Sequence, residues 1–358
     1  MTPRGSSGGI ARRELLAGGA ALAGGMLAPA TTTPVSARVN GVFGVRATAA
    51  GMAELRFEEE GGRTIDPNLA WHLGSNTKAI TALLYAVLVE DGACRWGATL
   101  GELFPDMDVH RDLAAATVEE LMAHAAGLTD QGINGMWLMA RRMDHGSPAA
   151  QRQAFAREWL GRAPTAPRGR FAYANANYIV LGAAIERIMA MNWEEGLRRR
   201  VFAPLGIEGA GFGAPCQREL WGRHSSGETW VPADPEGLAD NPAVFGPAGT
   251  VHMAPAEYAR LLSLYLRGGA PLLRKKTLSS LLSPPSPNLR YAGGWGLVGE
   301  DAALGWMLMH DGSNTLWYAR ALIDPAAGFA YAAGTNRGGD AGREAVERML
   351  AAMRVDNL

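Results

Sequence analysis

The run from Asn76 to Glu90, NTKAITALLYAVLVE, is apolar with few polar breaks and holds neither glycine nor proline. It predicts a largely buried helix that opens at or near Ser75 and stops at Asp91-Gly92. A helix with so little polar surface has to sit inside a domain, so the rest of the chain is organised around it. The residues at its start, Trp71-His72-Leu73-Gly74-Ser75-Asn76-Thr77-Lys78, add chemistry to that constraint. Positions three apart share a helix face, which brings the Ser75 hydroxyl within reach of the Lys78 amine. A serine hydroxyl is a weak nucleophile until a base takes its proton. Lysine can be that base only where burial or neighbours lower its pKa. N–H groups at a helix start can hold a developing oxyanion. The plain alternative, a serine beside a helix cap and a solvated lysine, stays open on this motif alone.

The chain has 358 residues, 47% of them hydrophobic, and a formal net charge of −1. That is enough for a substantial core in one large or two smaller domains. It gives no electrostatic case for nucleic acid as a partner. Cys94 and Cys216 stand far apart, with no Cys-x-x-Cys or histidine cluster beside them, so no zinc site is expected. One disulfide is allowed in an oxidising compartment, but sequence does not say that the two meet.

Arg12-Arg13 precede a Gly/Ala/Leu run from Leu15 to Ala30, and Val35-Ser36-Ala37 has a small-x-small ending. This is the layout of an export signal over residues 1–37, and the paired arginines resemble the twin-arginine type, although Glu14 departs from that pattern. A periplasmic or secreted protein is expected; an uncleaved anchor or a tail is the alternative. No later run is long enough to cross a bilayer, so the mature chain is expected to lack a transmembrane segment.

From residue 38 onward one domain is expected. Val39 to Ala47 and Met52 to Glu58 read as a hairpin about Gly51. From about residue 93 to about 250 the chain reads as helix and loop. It includes a capping-box start at Thr117 running to Gly127, and helices over Ala149 to Leu160, Asn177 to Met191 and Trp193 to Phe202. Helices over Ala254 to Leu266 and Lys276 to Leu282 follow. Strands return at Trp295 to Val298, Leu304 to His310, Thr315 to Asp324 and Phe329 to Asn336, and Arg343 to Met353 closes as an amphipathic helix. A sheet built from both chain ends, mostly antiparallel and flanked by helices, with a helical insertion beside it, is the α/β (α+β) architecture this order implies.

Two further elements fit the Ser75 motif. Tyr173 and Asn175 lie two apart on a loop before a helix, where a phenol and a carboxamide can point the same way if the loop is extended. A phenolate-like tyrosine can take and return a proton, and the amide can bind both a lysine and a substrate carbonyl. A packing tyrosine with a capping asparagine is the alternative. His310-Asp311-Gly312-Ser313-Asn314 falls between two expected strands. Glycine there lets a substrate lie against the backbone and leaves the Ser313 N–H for an oxyanion. A plain Asp-Gly hairpin turn is the alternative.

Together the three elements resemble the Ser-x-x-Lys, Tyr-x-Asn and (Lys/His)-x-Gly set of the serine β-lactamase-like and penicillin-binding superfamily. Leu121-Met122-Ala123-His124-Ala125-Ala126-Gly127-Leu128, Ala203-Pro204-Leu205-Gly206-Ile207, Gly246-Pro247-Ala248-Gly249 and Gly293-Gly294-Trp295-Gly296 are similar to its class C β-lactamase, esterase and DD-peptidase branch, over about residues 40 to 340. The resemblance implies a β-lactamase/transpeptidase-like fold and an acyl-enzyme on Ser75, with no metal or cofactor. Lys78 becomes the base, Tyr173 the second proton-transfer group, and Asn175 the holder of the substrate amide and Lys78. The N–H groups of Ser75 and Ser313 become the oxyanion hole. His310 takes the place where lactamases carry lysine, so if it and Asp311 both line the cleft, a group titrating near 6.5 and a carboxylate give a net charge close to −1 near pH 7.5. His124 is expected to be structural, and His72, His224 and His252 receive no role.

Asp311 departs from the Thr or Ser that usually binds a substrate carboxylate. An anion there would repel one by roughly 1 kcal/mol in water and about 4 at an effective dielectric near 20. Either Asp311 points away, since alternate strand residues face opposite sides, or the substrate lacks that carboxylate. The expected partner is a small ester, amide or peptide substrate, with esterase-like or D-amino-acid peptidase-like cleavage ahead of β-lactamase or DD-carboxypeptidase activity. A non-catalytic binding protein on the same fold is the alternative of another class. Oligomeric state is not readable.

Overall fold

A computed structural model describes residues 40–59, 64–217, 220–226, 229–234, 237–299 and 306–355. The proposed export signal lies outside the described residues, as do positions 304 and 305 of the strand expected from Leu304.

Seven strands form the main sheet: β1 (Gly41–Thr48), β2 (Gly51–Glu59), β8 (Tyr291–Ala292), β9 (Trp295–Val298), β10 (Met307–Ser313), β11 (Tyr318–Asp324) and β12 (Phe329–Thr335). Their order is β2-β1-β12-β11-β10-β9-β8, with every neighbour antiparallel. The expected hairpin is present, and β1 pairs with the last strand through Val42↔Thr335 to Ala47↔Ala330. The period of two then sorts the side chains. Val42, Tyr318, Leu322 and Ala333 pack under Val346, Met349, Leu350 and Met353 of the C-terminal helix Gly339–Val355. Phe43, Val45, Ala321, Ile323 and Ala332 face the main core, where helix Pro255–Leu266 lies on the sheet. Gly44 is needed because a Cβ there would press on Met349 and Met353.

The central helix runs over Thr77–Glu90, and every residue from Thr77 to Leu88 is buried. It continues directly from a 3-10 turn at Gly74–Asn76 that touches β10 and β11. Around it lie the helix Asn175–Met189, the short helix Gly246–Gly249 and the helix Lys275–Leu281. A second small sheet joins the two ends of the helical region to its interior: β3 (Trp71–His72) pairs with β7 (Val251–Met253), which pairs with β4 (Gly211–Phe212). A ribbon of β5 (Arg223–Ser226) and β6 (Thr229–Pro232) stands apart from these.

Two expectations need correction. The Thr117 capping box forms with Glu120, but the helix is Val118–Met122 and stops well before Gly127. His124 adopts φ +56° and turns the chain beneath the Tyr173 loop, where its carbonyl accepts from the Ala172 N–H at 2.8 Å. His310-Asp311-Gly312-Ser313 is not a turn between strands but the last part of β10. The reversal falls at residues 314–317, where Thr315 has φ +78° and Asn314 Oδ1 accepts from the N–H groups of Leu316 and Trp317, both at 3.2 Å. The allowance for a disulfide also lapses, since Cys94 and Cys216 are both free thiols. Among the described residues no helix is long and apolar enough to cross a membrane.

Candidate active site

Ser75 sits on the 3-10 turn, half-buried, and Lys78 one turn on is fully buried. Lys78 Nζ lies 3.0 Å from Ser75 Oγ, 2.9 Å from Asn175 Oδ1 and 2.7 Å from the Ala248 carbonyl oxygen. Asn175 Oδ1 and the Ala248 oxygen are pure acceptors, so they orient two N–H bonds whether the amine is charged or neutral. The third position is left for Ser75. As an ammonium, Lys78 donates there; as an amine, its lone pair points at the serine proton. Burial lowers the Lys78 pKa to about 7, against the opposing pull of the Asp130 carboxylate. The Gly246–Gly249 segment, noticed in the sequence only as a flank, supplies the Ala248 carbonyl. It is held in turn by Thr81 Oγ1, which donates to the Pro247 oxygen at 2.8 Å.

Tyr173 lies on the loop before helix Asn175–Met189, and its phenol lies near enough to the Ser75 hydroxyl to be influenced by it. Lys78 Nζ is 4.9 Å from the centre of its ring. Burial pushes the phenol well above its ordinary range, with the nearby Ser75 hydroxyl pulling the other way. Tyr173 therefore rests as a phenol at neutral pH, rather than as the phenolate-like group that the sequence suggested.

Asp130, which the sequence did not mark, sets this loop. Its Oδ2 accepts from the Asn175 N–H at 3.0 Å and from Asn175 Nδ2 at 2.9 Å, and its Oδ1 accepts from the Ala176 N–H at 2.9 Å. It caps a helix whose own N-cap residue, Ala174, has no capping side chain. By holding Asn175 Nδ2, it turns Oδ1 toward Lys78. No local pattern announces such a cap, because it comes from 45 residues away.

His124 is buried, as a structural residue would be. Its Nδ1 accepts from the Ala174 N–H and faces Asn177 Nδ2, both at 3.2 Å, and its ring lies 4.4 Å from that of Tyr173. Burial, then the charges of Lys78 and His310, hold it well below the usual imidazole range, so it is neutral.

Strand β10 closes the other side. A Cβ on Gly312 would overlap the Leu73 carbonyl oxygen and come within 2.9 Å of the Ser75 N. One on Gly74, where φ is +51°, would overlap the Ser313 N. Glycine at both places brings the Ser75 and Ser313 amides together, so Gly312 serves the approach of the backbone to the Ser75 turn.

The charges on this strand differ from expectation. His310 is 6% exposed, and burial, reinforced by the Lys78 charge, lowers its pKa to about 4. It is not a group titrating near 6.5 in a wet cleft. Its Nδ1 faces the Asp311 carbonyl oxygen at 2.7 Å and its Nε2 faces the Tyr291 hydroxyl at 2.8 Å. Neutral His310 thus carries its proton on Nδ1 and accepts from Tyr291. Asp311 points to the opposite face and is held by Arg320 through Nε–Oδ1 at 2.5 Å and Nη2–Oδ2 at 2.9 Å. The net charge of −1 expected from this pair in the cleft does not arise. Among the described residues no group of three His, Cys, Asp or Glu side chains gathers to hold a metal ion.

A buried Ser-x-x-Lys pair, opposed by a Tyr-x-Asn loop and strand β10 of an antiparallel sheet, defines a serine hydrolase of the β-lactamase and penicillin-binding type. The Beta-lactamase family model matches residues 29–354, and the chain belongs to that family. Penicillin-binding protein 4 of Amycolatopsis lactamdurans is 24% identical over 299 residues, covering 77% of this chain and 74% of that protein. The structure of D-amino acid amidase from Ochrobactrum anthropi SV3, complexed with L-phenylalanine, aligns with a TM-score of 0.67 at 20% identity over 89% of this chain and 96% of that one. The D-stereospecific amidohydrolase from Streptomyces sp. aligns with a TM-score of 0.65 at 19% identity, over 86% and 93%.

Proposed function

We propose that the protein is an exported hydrolase that cleaves esters or amides bearing no carboxylate beside the scissile bond, through an acyl-enzyme on Ser75. The observation that carries this reading is the Lys78 amine, fully buried, aimed at Ser75 Oγ by two fixed acceptors and titrating at about 7. In acylation Ser75 Oγ bonds to the substrate carbonyl carbon while its proton passes to Lys78 Nζ. The carbonyl oxygen, now negative, sits between the Ser75 and Ser313 N–H groups. Collapse reforms the carbonyl and breaks the bond to the leaving group, which takes a proton from the Tyr173 hydroxyl. The proton on Lys78 replaces the one Tyr173 gave up. Deacylation reverses this route with water as nucleophile, and Ser75 Oγ regains its hydrogen.

The charge pattern supports the substrate class. Both ring nitrogens of His310 are engaged, and Asp311 is paired on the far face, so this pair presents no free cation to a carboxylate. The likeness to the D-amino acid amidase fits cleavage of amides without that group. Export rests on the twin-arginine-like pattern at Arg12-Arg13. A fluorophosphonate probe should label the wild type and not Ser75→Ala, whose burst-phase acylation should fall below about one part in a thousand. p-Nitrophenyl esters, D-amino-acid amides and nitrocefin then rank the substrates. Burst acylation retained in Ser75→Ala would overturn the nucleophile, and nitrocefin turned over at lactamase rates would overturn the substrate class.

A further inference from the structure

His72 stands two residues before Gly74 and is 2% exposed. Its Nδ1 accepts from the Gly74 N–H at 3.0 Å, so the ring carries its proton on Nε2. That Nε2 donates to Asp240 Oδ2 at 2.8 Å. Asp240, 8% exposed, uses its other oxygen to accept from Asn314 Nδ2 at 2.9 Å and from the Asn241 N–H at 2.7 Å. Asn314 follows Ser313 and also donates to the Ala239 carbonyl at 3.1 Å, while its Oδ1 holds the reversal after β10. The His72 ring stacks on Trp317 with centroids 5.4 Å apart, and the Trp317 carbonyl accepts from Ser313 Oγ at 2.9 Å. Asp240 is thus joined on one side to the turn that presents the Ser75 amide, and on the other to the residue beside the Ser313 amide.

We infer that His72, Asp240 and Asn314 form a brace that sets the distance between the Ser75 and Ser313 amides. All three are positioning residues; none touches the reacting atoms. Gly74 and Gly312 let the turn and the strand approach each other but do not fix how far apart they stop. A single carboxylate accepting from both sides does fix it, because each link is a directional hydrogen bond to a buried or half-buried group. An amide pair set about 1 Å wrong loses on the order of a hundredfold in rate, since the oxyanion forms only in the transition state.

This inference rests on the acyl-enzyme reading of Ser75, and its test separates the two. In Asp240→Asn an amide nitrogen must face either His72 Nε2–H or Asn314 Nδ2–H, so one link is lost with little change of volume. Asn314→Ala cuts only the Ser313 side. For both variants kcat should fall by about tenfold to a hundredfold with KM within about threefold. The decisive readout is the rate ratio between an ester and its thionoester, in which sulfur replaces the carbonyl oxygen. A well-set amide pair favours oxygen strongly, and a slackened one does not. The ratio should drop at least fivefold in each variant that purifies folded, with Asn314→Ala deciding if Asp240→Asn does not. A merely structural role would lower the active fraction and both rates together, leaving the ratio alone, and that result overturns the brace. Absence of fluorophosphonate label on Ser75 of the wild type would instead overturn the acyl-enzyme reading.

Discussion

Acylation should follow the deprotonation of Lys78. Its pKa of about 7 lies some three and a half units below the ordinary value of 10.5. At about 1.4 kcal/mol per unit, the buried site disfavours the ammonium by about 5 kcal/mol relative to water. A tenth of the molecules then carry the neutral amine at about pH 6, and roughly nine tenths at about pH 8. The rate constant of the acylation burst, measured by stopped flow with a p-nitrophenyl ester that does not itself titrate, should rise about tenfold from pH 6 to an alkaline plateau. His310, near 4, does not enter that window. Asp130 supplies an independent check of sign. Its carboxylate raises the Lys78 pKa, so Asp130→Asn should move the midpoint toward acid even as the plateau falls from the loosened Asn175. Lys78→Arg keeps charge but offers no base near neutrality, and should cost about a hundredfold to ten-thousandfold in acylation. A burst rate flat from pH 5.5 to 8.5, a midpoint above about 9, or near-normal acylation in Lys78→Arg would each refute this account.

Three further outcomes follow from named contacts. Asp311→Thr strips Arg320 of its two-pronged partner without altering the cleft, so it should cost about 1–3 kcal/mol. Thermal unfolding would register that as a few degrees, while the preference for neutral over carboxylate-bearing esters stays within about twofold. His310→Lys, with Tyr291→Phe to free the space, should raise kcat/KM for nitrocefin more than for a neutral ester, and equal changes would show that position 310 does not set substrate charge. Gly312→Ala forces β10 away from the Leu73 carbonyl and should lose at least about a hundredfold in acylation, and normal kinetics would disprove the close approach. Mass spectrometry of the exported fraction should find a mature chain starting near residue 31 or 38, and Arg12→Lys with Arg13→Lys should block export; only full-length cytoplasmic protein would contradict the signal.

What the sequence made legible was local. The hairpin about Gly51, the central helix and the strands at Trp295, Tyr318 and Phe329 all follow from hydrophobic period, and each forms within a few residues of where that period puts it. Ser75 near Lys78 follows from one helical turn. What was not legible depends on residues distant in the chain. Asp-Gly at 311 and 312 is a turn signal that loses to the packing of Gly312 on the Leu73 carbonyl. The titration expected of His310 near 6.5 fails because a strand position does not reveal burial. Asp130 and Asp240 carry no motif at all, since their partners are 45 and 168 residues away.

The pairing of β1 with β12 has a consequence for the order in which the molecule can assemble. The serine and its lysine are made early, but the strand that faces them and the strand that locks β1 are made late. A nascent chain halted before residue 307 has Ser75 and Lys78 without the Ser313 amide, and β1 paired only with β2. Closing contacts across nearly the whole sequence is slow, because the entropy of the large loop is lost before the contacts form. The strand facing Ser75 is therefore available only once most of the chain has been made, and a chain clipped before β10 lacks it.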